Sequence, residues 1–303
     1  MKDFSGKVAV VTGGGAGIGR ALVRQLAEAG CSVAMCDISE EDLAESKTLA
    51  EANAQQGVKI TTFIADVSNE DSVNAFADHV RNAHDINHIH LLFNNAGIAG
   101  GGSFVSGPRE NWERTFNICW HGVYFNTRAF MPMLVAADEA HIINISSVNG
   151  FWASVGPDRP HTAYSAAKFA VKGFTEALIT DLRLNAPHVL ASVVMPGYIG
   201  TKIALNTYRE FGSTGGSLGG PDITEEEARA QGEAFRDNGM TNAEDAAKII
   251  LDGVLAEKWR ILVGPDAEAI DAAVRSTPED AYTGDFGMSI FAVLQSTTDT
   301  EEA

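Results

Sequence analysis

Residues 7–29 constrain the fold of this chain more than any other stretch. A short β-branched apolar run at residues 7–12 leads directly into a loop made almost entirely of glycine, and a helical pattern follows over residues 20–29. An apolar run of this length that ends in glycine indicates a buried strand. A strand, a glycine loop and a helix in that order are typical of a phosphate-binding turn in an α/β domain.

The glycine loop has the chemistry that a pyrophosphate group requires. Glycine lets the backbone turn tightly and approach the phosphates closely, while the following helix supplies free N–H groups and the positive end of its dipole. Glycine-rich turns are common, so the prediction depends on the position of this one between a strand and a helix. The residues predicted to bind a dinucleotide here are Gly13, Gly15, Gly17, Ile18 and Gly19.

Asp37 ends the second apolar run, eighteen residues after the last glycine of the loop. A carboxylate at this place can accept hydrogen bonds from both hydroxyls of an adenosine ribose, and it would repel a 2′-phosphate. None of the neighbouring residues Ala16, Ile38 and Ser39 is basic. The sequence therefore predicts NAD rather than NADP. Asp37 could instead cap the next helix, but Ser39 is the better candidate for that role.

Tyr164 and Lys168 stand four residues apart in a segment with a helical pattern, so both side chains leave the same face of the helix. At an effective dielectric constant of about 20, a charge pair at ~4 Å is worth roughly 4 kcal/mol, or about three pKa units. The pair therefore predicts a tyrosine whose pKa is lowered towards neutrality and which acts as a general acid and base. Taken alone, such a pair is more often incidental on a surface helix, and the rest of the chain decides against that interpretation.

The charge balance and the hydropathy of the chain exclude several classes of partner. The sequence has 22 basic and 40 acidic residues, a net charge of −18, which argues against nucleic acid or an anionic membrane surface. No apolar run approaches the ~20 residues of a membrane span, and no signal-like segment follows Met1. The prediction is a cytoplasmic protein that binds a small molecule.

Cysteines and histidines give no indication of a metal site. The three cysteines have no metal-ligand spacing, which suggests a reducing compartment without disulfides. A histidine-rich piece straddles the predicted end of a helix and the start of a strand, with no carboxylate or thiolate set nearby. No metal is therefore predicted. The residues considered are Cys31, Cys36, Cys119, His84, His88 and His90.

Taken together, the motifs resemble those of the short-chain dehydrogenase/reductase family, and they extend over residues 5 to about 266. The matching pieces, in the family's order, are Thr12-Gly13-x-x-x-Gly17-x-Gly19, Asp66-Val67, Asn94-Asn95-Ala96-Gly97, Ser147, Tyr164-x-x-x-Lys168 and Pro196-Gly197 followed by Thr201. The resemblance implies one doubly wound Rossmann-like α/β domain over residues 1–266, with about seven parallel strands and helices on both faces. It also implies a homotetramer or a homodimer.

The resemblance also assigns roles to individual residues. It implies that Ser147 orients the substrate oxygen, with Ser146 as the second choice. Tyr164 would be the general acid and base and would also contact the cofactor, and Lys168 would lower the pKa of Tyr164 and hold the nicotinamide ribose. Ile199 and Thr201 would hold the nicotinamide carboxamide. The other residues that it places at the dinucleotide are Asp66, Val67, Asn94, Ala96, Gly97, Pro196 and Gly197.

One residue departs from the family pattern. Seven residues after Trp112, the family has an asparagine that helps to hold a water between the active-site lysine and solvent, and this chain has Cys119 there. Asn117 lies roughly 200° away round an α-helix, so it could replace that asparagine only if a π-bulge distorted the helix. The expectation is a catalytic triad rather than a tetrad.

Three further segments carry expectations. The glycine-rich stretch 211–221 and the charged helix after it predict a mobile substrate lid within residues 200–240. The small residues of helix 163–184 imply a dimer interface, and by resemblance the connection 149–162 lines the substrate pocket. Residues 267–303 form an extension beyond the family's usual length, expected to be a partly helical interface or covering segment.

The sequence thus predicts an oxidoreductase that transfers a hydride between NAD(H) and a secondary alcohol or ketone. The alternative is a non-catalytic dinucleotide sensor or scaffold on the same fold, because fold does not determine function. The presence of Ser147, Tyr164 and Lys168 argues against the alternative, whereas Cys119 leaves room for it.

Overall fold

Seven strands form one parallel sheet in the computed structural model, which describes residues 1–154, 159–215 and 223–286. With a separate short pair, β7 and β8, the described residues form the strands β1 (Val8–Thr12), β2 (Ser32–Asp37), β3 (Ile60–Ile64), β4 (Leu91–Asn94), β5 (Ala140–Ile145), β6 (Val189–Pro196), β7 (Ile199–Gly200), β8 (Thr241–Asn242) and β9 (Arg260–Val263). The order across the sheet is β3-β2-β1-β4-β5-β6-β9, and β7 pairs only with β8. The predicted doubly wound, Rossmann-like sheet is confirmed.

Helices cover both faces of the sheet, as predicted. They are α1 (Gly17–Glu28), α2 (Glu40–Glu51), α3 (Glu70–His84), α4 (Arg109–Phe116), α5 (Gly122–Val135), α6 (Thr162–Asn185), α7 (Ile203–Phe211), α8 (Glu225–Asp237), α9 (Ala243–Leu255) and α10 (Pro265–Ser276). One apolar core lies between the sheet and α1, α2 and α9, and a second lies between the sheet and α3, α5 and α6. Because both faces are buried, the strands read as continuous apolar runs.

The order in which strands are added to the sheet reverses between β1 and β4. The strands β2 and β3 lie on one side of β1, and β4 and the later strands of the sheet lie on the other. Val11 of β1 pairs in register with Met35 of β2 on one side and with Phe93 of β4 on the other. In an open α/β sheet, the loops that leave neighbouring strands at such a point run in opposite directions and open a crevice at the carboxyl ends of the strands. The glycine loop after β1 and the loop after β4 therefore border the same crevice.

The chain from Arg109 to Val135 is helical, but it is not one regular α-helix. Between α4 and α5 the backbone forms a π-helical turn, Asn117–His121. Helix α5 continues to Val135 with Pro132 inside it. A proline removes one backbone hydrogen bond, and the buried neighbours Met133 and Leu134 hold the last turn against the core.

The predicted lid region contains two helices and a short pair of strands. Ile199 of β7 pairs in register with Thr241 of β8, and α7 and α8 belong to the excursion between these strands. Thr224 caps α8 in a capping box with Glu227, which explains why the helix starts there. Residues 216–222, the middle of the predicted glycine-rich stretch, lie outside the described residues, and the lid stays a prediction.

The described part of the C-terminal extension packs against the loop that follows β5. The indole Nε1 of Trp152 donates to the carbonyl of Ala281 at 2.6 Å, and its ring lies 5.7 Å from that of Phe286. The backbone N–H of Ala153 donates to the hydroxyl of Tyr282 at 3.1 Å. Helix α10 gives the extension its helical part, residues 287–303 lie outside the described residues, and its role as an interface or cover stays a prediction.

The small-residue face of α6 is open only in part in the single chain. Ala166 and Gly173 are exposed, whereas Ala167 is buried, so the predicted dimer interface stays a prediction. Among the described helices, none combines the length and apolar character that crossing a bilayer needs.

His141 is buried near the N-terminal end of β5. Its Nε2 lies 2.6 Å from the hydroxyl of Ser192 on β6, and its Nδ1 has no hydrogen-bond partner among the described residues. The Ser192 hydroxyl donates its single proton to the backbone carbonyl of Lys258, so this hydroxyl accepts from Nε2 of His141. Burial lowers the pKa of His141 to about 4. The folded protein therefore holds this imidazole neutral below the pH at which an unfolded chain protonates it.

We expect His141 to make the protein lose stability in mild acid. An unfolded histidine has a pKa of about 6.5, so between roughly pH 6.5 and 4 only the unfolded state binds this proton, and the free energy of unfolding falls by about 1.4 kcal/mol per pH unit. Urea unfolding at pH 7, 6 and 5 measures the slope. In His141→Gln, which keeps a donor but cannot titrate, the slope should decrease. An identical pH dependence in the variant would contradict this assignment.

Candidate active site

Tyr164 and Lys168 lie one above the other on α6, as their spacing predicts. The ammonium Nζ of Lys168 lies 5.4 Å from the centre of the Tyr164 ring and donates to the carbonyl of Ile145 at 2.8 Å. Both side chains are almost completely buried, with 8% of Tyr164 and 3% of Lys168 exposed. The helix thus carries both groups to the carboxyl end of β5, beside the crevice.

The pKa of Tyr164 differs from the expectation. Burial raises it well above its usual value, and the hydrogen bond with Ser147 opposes that change only in part. The predicted lowering by Lys168 is wrong for this arrangement, because the ammonium lies against the face of the ring and its hydrogen bond goes to Ile145. Burial also lowers the pKa of Lys168. Desolvation therefore outweighs charge attraction at this pair.

Ser147 follows β5 and reaches Tyr164. Its side chain interacts with the phenol of Tyr164, which lowers the pKa of that phenol. It also accepts from the backbone N–H of Asn149 at 3.1 Å, which starts the tight turn after the strand. Ser146 was the second choice for this role. Its hydroxyl donates to the carbonyl of Lys168 at 2.7 Å inside the core, so it holds the helix and points away from the phenol.

Cys119 occupies the position beside Lys168 that the sequence assigned to it. Its thiol is fully buried and donates to the carbonyl of Ile98 at 3.3 Å. A Cβ atom built on Gly97 would lie 3.5 Å from the Lys168 ammonium and 3.6 Å from the Cys119 sulfur, so all three residues meet at one point. The π-helical turn that could have brought in Asn117 is present. The amide oxygen of Asn117 nevertheless pairs with Nδ1 of His121, at 2.9 Å.

The glycine loop is folded as its sequence requires. Gly13 and Gly17 have φ angles of 65° and 53°, which side chains disfavour. A Cβ atom at Gly19 would lie 2.0 Å from the carbonyl oxygen of Gly13, so only glycine fits there. Helix α1 starts without a side-chain cap and without an acidic residue in its first turn. Its first N–H groups are therefore available to an anion.

Asp37 lies at the far end of this loop. Its Oδ2 accepts from the N–H of Gly15 at 3.0 Å, and its Oδ1 accepts from the N–H groups of Ile38 at 2.8 Å and of Ser39 at 3.3 Å. Burial raises the pKa of Asp37 despite these bonds. Ser39 caps α2 by accepting from Asp42, so the alternative role proposed for Asp37 belongs to its neighbour, as expected.

Arg20 is a basic residue near the loop that the sequence analysis missed. Its guanidinium donates to the carbonyl of Gly15 and pairs with the carboxylates of Glu45 at 2.7 Å and Asp42 at 3.5 Å. These contacts hold the loop in place. Arg20 directly follows Gly19, the last glycine of the loop, and this position in the sequence could have indicated its role.

Asn94 is not at the crevice, which corrects its assignment as a cofactor-binding residue. Its amide donates to Asn144 at 2.8 Å and to Thr127 at 3.0 Å, inside the core. The next residue, Asn95, is at the crevice, and its amide donates to the carbonyl oxygens of Thr12 at 3.0 Å and Gly13 at 3.2 Å. Successive strand residues face opposite sides, so the two asparagines have different tasks.

The crevice contains a cleft of about 400 Å³. The predicted residues that line it are Gly13, Gly17, Ile18, Asp37, Asp66, Val67, Ala96, Gly97, Lys168 and Thr201. The predicted residues outside its lining are Gly15, Gly19, Asn94, Ser147, Tyr164, Pro196, Gly197 and Ile199. Lining residues that the sequence analysis did not identify include Asn95, Arg114, Lys202, Asn206, Arg209 and Glu210. Four of these belong to or border α7, a helix that the sequence analysis did not predict.

The turn after β6 rests on a buried carboxylate. Asp266 accepts from the N–H of Tyr198 at 2.5 Å, and a Cβ atom on Gly197 would lie 2.2 Å from either oxygen of that carboxylate. Burial raises the pKa of Asp266. Thr201 lies above the glycine loop, 3.2 Å from a Cβ built on Gly17. Of the residues after β6, Thr201 therefore comes nearest to the loop's phosphate-binding face.

Within the described ranges, no group of three or more His, Cys, Asp or Glu side chains could hold a metal ion. The predicted absence of a metal stays a prediction. His84 instead pairs with the hydroxyl of Thr61 at 2.9 Å, and the rings of His88 and His90 contact each other edge to face at 5.1 Å.

Comparison with known proteins identifies close similarities over most of the chain. The sequence model of a family described as "short chain dehydrogenase" matches residues 7–210. A Mycobacterium tuberculosis protein named "Putative oxidoreductase SadH" is 37% identical over 276 residues, which cover 91% of this chain and 92% of that protein.

Two solved structures extend the similarity to the fold. A short-chain dehydrogenase/reductase from Burkholderia phymatum in complex with NAD has a TM-score of 0.78 and 32% identity, covering 92% of this chain and 95% of that one. A metagenomic short-chain oxidoreductase in complex with NADP has a TM-score of 0.56 and 34% identity, covering 64% of this chain and 83% of that one. The two similar structures hold different dinucleotides.

Proposed function

The chain belongs to the short-chain dehydrogenase/reductase family of oxidoreductases, and from that premise we propose that it transfers a hydride between NAD(H) and a secondary alcohol or ketone. The observation that carries the proposal is that the Lys168 ammonium lies over the Tyr164 ring at the carboxyl end of β5, where Ser147 interacts with the phenol of Tyr164. A hydroxyl, a phenol and an ammonium that converge beside a dinucleotide-sized cleft support proton transfer to or from a substrate oxygen.

The residues of the cleft fit a dinucleotide. The uncapped start of α1 and the glycine loop would hold the pyrophosphate, and Asp37 would accept from the adenosine ribose. The remaining residues proposed to bind it are Ile18, Asp66, Val67, Asn95, Ala96, Gly97, Lys168, Ile199 and Thr201. When bound, a nicotinamide dinucleotide would accept or donate the hydride.

Proton transfer belongs to the residues of this chain. Ser147 donates a hydrogen bond to the substrate oxygen, and Tyr164 takes the proton from an alcohol or returns it to a forming alkoxide. Since burial raises the pKa of Tyr164, the phenol holds its proton at neutral pH and serves as the acid in ketone reduction. Alcohol oxidation requires the phenolate, which the adjacent Lys168 ammonium stabilises once it forms.

Asp37 supports the choice of NAD. A 2′-phosphate would meet its carboxylate, and Arg20, the basic residue found near this end of the loop, is already paired with Asp42 and Glu45. The carboxylates of Asp37 and Asp42 both line the cleft there. This end of the cleft therefore favours two free ribose hydroxyls.

The wider organisation follows the same proposal. We propose that residues 1–266 are the dehydrogenase domain with a lid within 200–240, and that the extension beginning at residue 267 is an interface or covering segment. The partly exposed small-residue face of α6 joins chains in a homodimer or homotetramer, and the acidic protein works in the cytoplasm on a small-molecule substrate without nucleic acid or membrane partners.

Replacing Tyr164 by Phe removes the transferable proton without changing the shape of the site. We expect turnover of secondary alcohols with NAD to fall by about 10²- to 10⁴-fold, while NADH binding, followed by fluorescence, persists. In the parent, the rate of oxidation should rise with pH above neutrality, because the pKa of Tyr164 is raised. Tyr124→Phe, on the exposed surface of α5, is the matched control. Near-normal turnover in Tyr164→Phe would contradict the mechanism.

The cofactor preference can be reversed at Asp37. We expect the parent to use NAD far more efficiently than NADP, and Asp37→Ser combined with Ile38→Arg to reduce or reverse that ratio, because the repelling carboxylate is replaced by a cation. The ratio of kcat/KM for the two dinucleotides is the measurement. Equal efficiency with NADP in the parent would refute the assignment.

Cys119 tests whether its thiol has a part in proton transfer. A thiol is a weak donor and acceptor, so we propose that a relay water is held there by backbone carbonyls such as that of Ile98. Cys119→Asn should keep the rate and the pH profile within a few-fold, and His121→Ala should leave the profile unchanged. A large loss of turnover in Cys119→Ala, with folding and NADH binding intact, would show that the thiol itself takes part.

A further inference from the structure

Arg114 of α4 holds two carboxylates that come from distant parts of the chain. Its Nη1 donates to Oδ2 of Asp66 at 2.8 Å and to the hydroxyl of Ser68 at 2.5 Å. Its Nε donates to Oε1 of Glu210 at 2.7 Å. A single guanidinium therefore bridges the loop after β3 and the last turn of α7.

The two carboxylates lie on opposite sides of the crevice. Asp66 follows β3, which belongs to the half of the sheet formed by β1, β2 and β3, whereas Glu210 lies in the segment that follows β6 in the other half. Both side chains and Arg114 line the cleft proposed for the dinucleotide. The bridge from Asp66 through Arg114 to Glu210 therefore joins the two halves across the cleft.

Helix α7 contributes a large part of one wall. Lys202, Ile203, Asn206, Arg209 and Glu210 all line the cleft from this helix or its first flanking residue. A second attachment joins α7 to the loop after β4, where the N–H of Ala99 donates to the hydroxyl of Thr207 at 2.9 Å. Glu210 thus fastens the C-terminal end of α7, through Arg114, to Asp66 on the opposite wall.

The surroundings of the bridge make it stronger than an ordinary surface pair. The exposed side-chain fractions are 29% for Arg114, 37% for Asp66 and 24% for Glu210. Partial burial raises the pKa of Asp66, but the hydrogen bonds from Ser68 and Arg114 outweigh this, and the net change is downward. An arginine fork that serves two half-buried carboxylates is a geometry that a lysine cannot reproduce.

We infer that Arg114 is a positioning residue that latches α7 over the bound dinucleotide, so that the Arg114–Glu210 ion pair opens before the dinucleotide leaves. The inference rests on the proposed function, because it assumes that the cleft takes a dinucleotide. It predicts that the latch controls the dissociation rate of NADH. Where product release limits turnover, it also controls kcat.

Glu210→Gln tests the latch because two explanations predict opposite results. If Glu210 acted only as a negative charge in the cleft, its removal would reduce repulsion of the phosphates and slow the release of NADH. If it fastens α7, its removal weakens the latch and NADH leaves faster. Stopped-flow NADH fluorescence at physiological salt measures the dissociation rate directly, without turnover.

We expect Glu210→Gln to release NADH about three- to tenfold faster than the parent, as loss of a half-buried charged hydrogen bond suggests. The parent rate should rise with ionic strength, and the variant rate should not. Arg114→Lys keeps the charge but cannot bridge both carboxylates, so its rate should lie between those of the parent and Glu210→Gln. The matched control is Asp252→Asn, which breaks the exposed Lys248–Asp252 pair on α9 and should match the parent.

The outcomes separate the latch from the proposed function. Unchanged or slower NADH release in Glu210→Gln would overturn the latch and leave the proposed function standing. A lower melting temperature of Glu210→Gln with an unchanged rate of NADH release would also overturn the latch. The Arg114–Glu210 pair would then only stabilise the fold. If the parent failed to bind NADH at all, both the proposed function and the latch would fall.

Discussion

The end of β5 and the helix α6 exchange hydrogen bonds, and the arrangement of the site depends on that exchange. The Lys168 ammonium donates to the carbonyl of Ile145, and the Ser146 hydroxyl donates back to the carbonyl of Lys168. A Cβ atom on Gly150 would lie 2.8 Å from that carbonyl, so glycine allows the turn after the strand to pass this close. Ser147, the next residue of the strand end, is thereby fixed against Tyr164.

Burial of these groups determines their resting charge. Transfer out of water disfavours the phenolate of Tyr164 and the ammonium of Lys168 alike, so the pKa of the first rises and that of the second falls. The pair is therefore most stable when the tyrosine is protonated. A catalytic tyrosine in such a place depends on charges that arrive with its ligands, rather than on its lysine alone.

The sequence predicts the local parts of the fold and site well, because strands, glycine turns and helical spacing are encoded in neighbouring residues. It does not predict which asparagine of the pair after β4 faces the crevice, since a motif does not specify how the strand end turns. The π-helical turn at Asn117–His121 carries Cys119, which packs in a buried cluster with Tyr164 and Ala167 of a distant helix, and no local pattern indicates those contacts. The bridge from Arg114 to Glu210 joins residues 96 positions apart, and no local pattern indicates it.

The contact between Trp152 and residues 281–286 has a consequence for the order in which the protein is made. The loop that follows Ser147 has its indole hydrogen bond and its aromatic neighbour only after Ala281 and Phe286 have left the ribosome. The sheet strands β1 to β6 are complete some 85 residues earlier, as the positions of Pro196 and Ala281 show. All the residues that line the cleft, up to Glu210, are therefore synthesised before the partners that Trp152 needs beside Ser147.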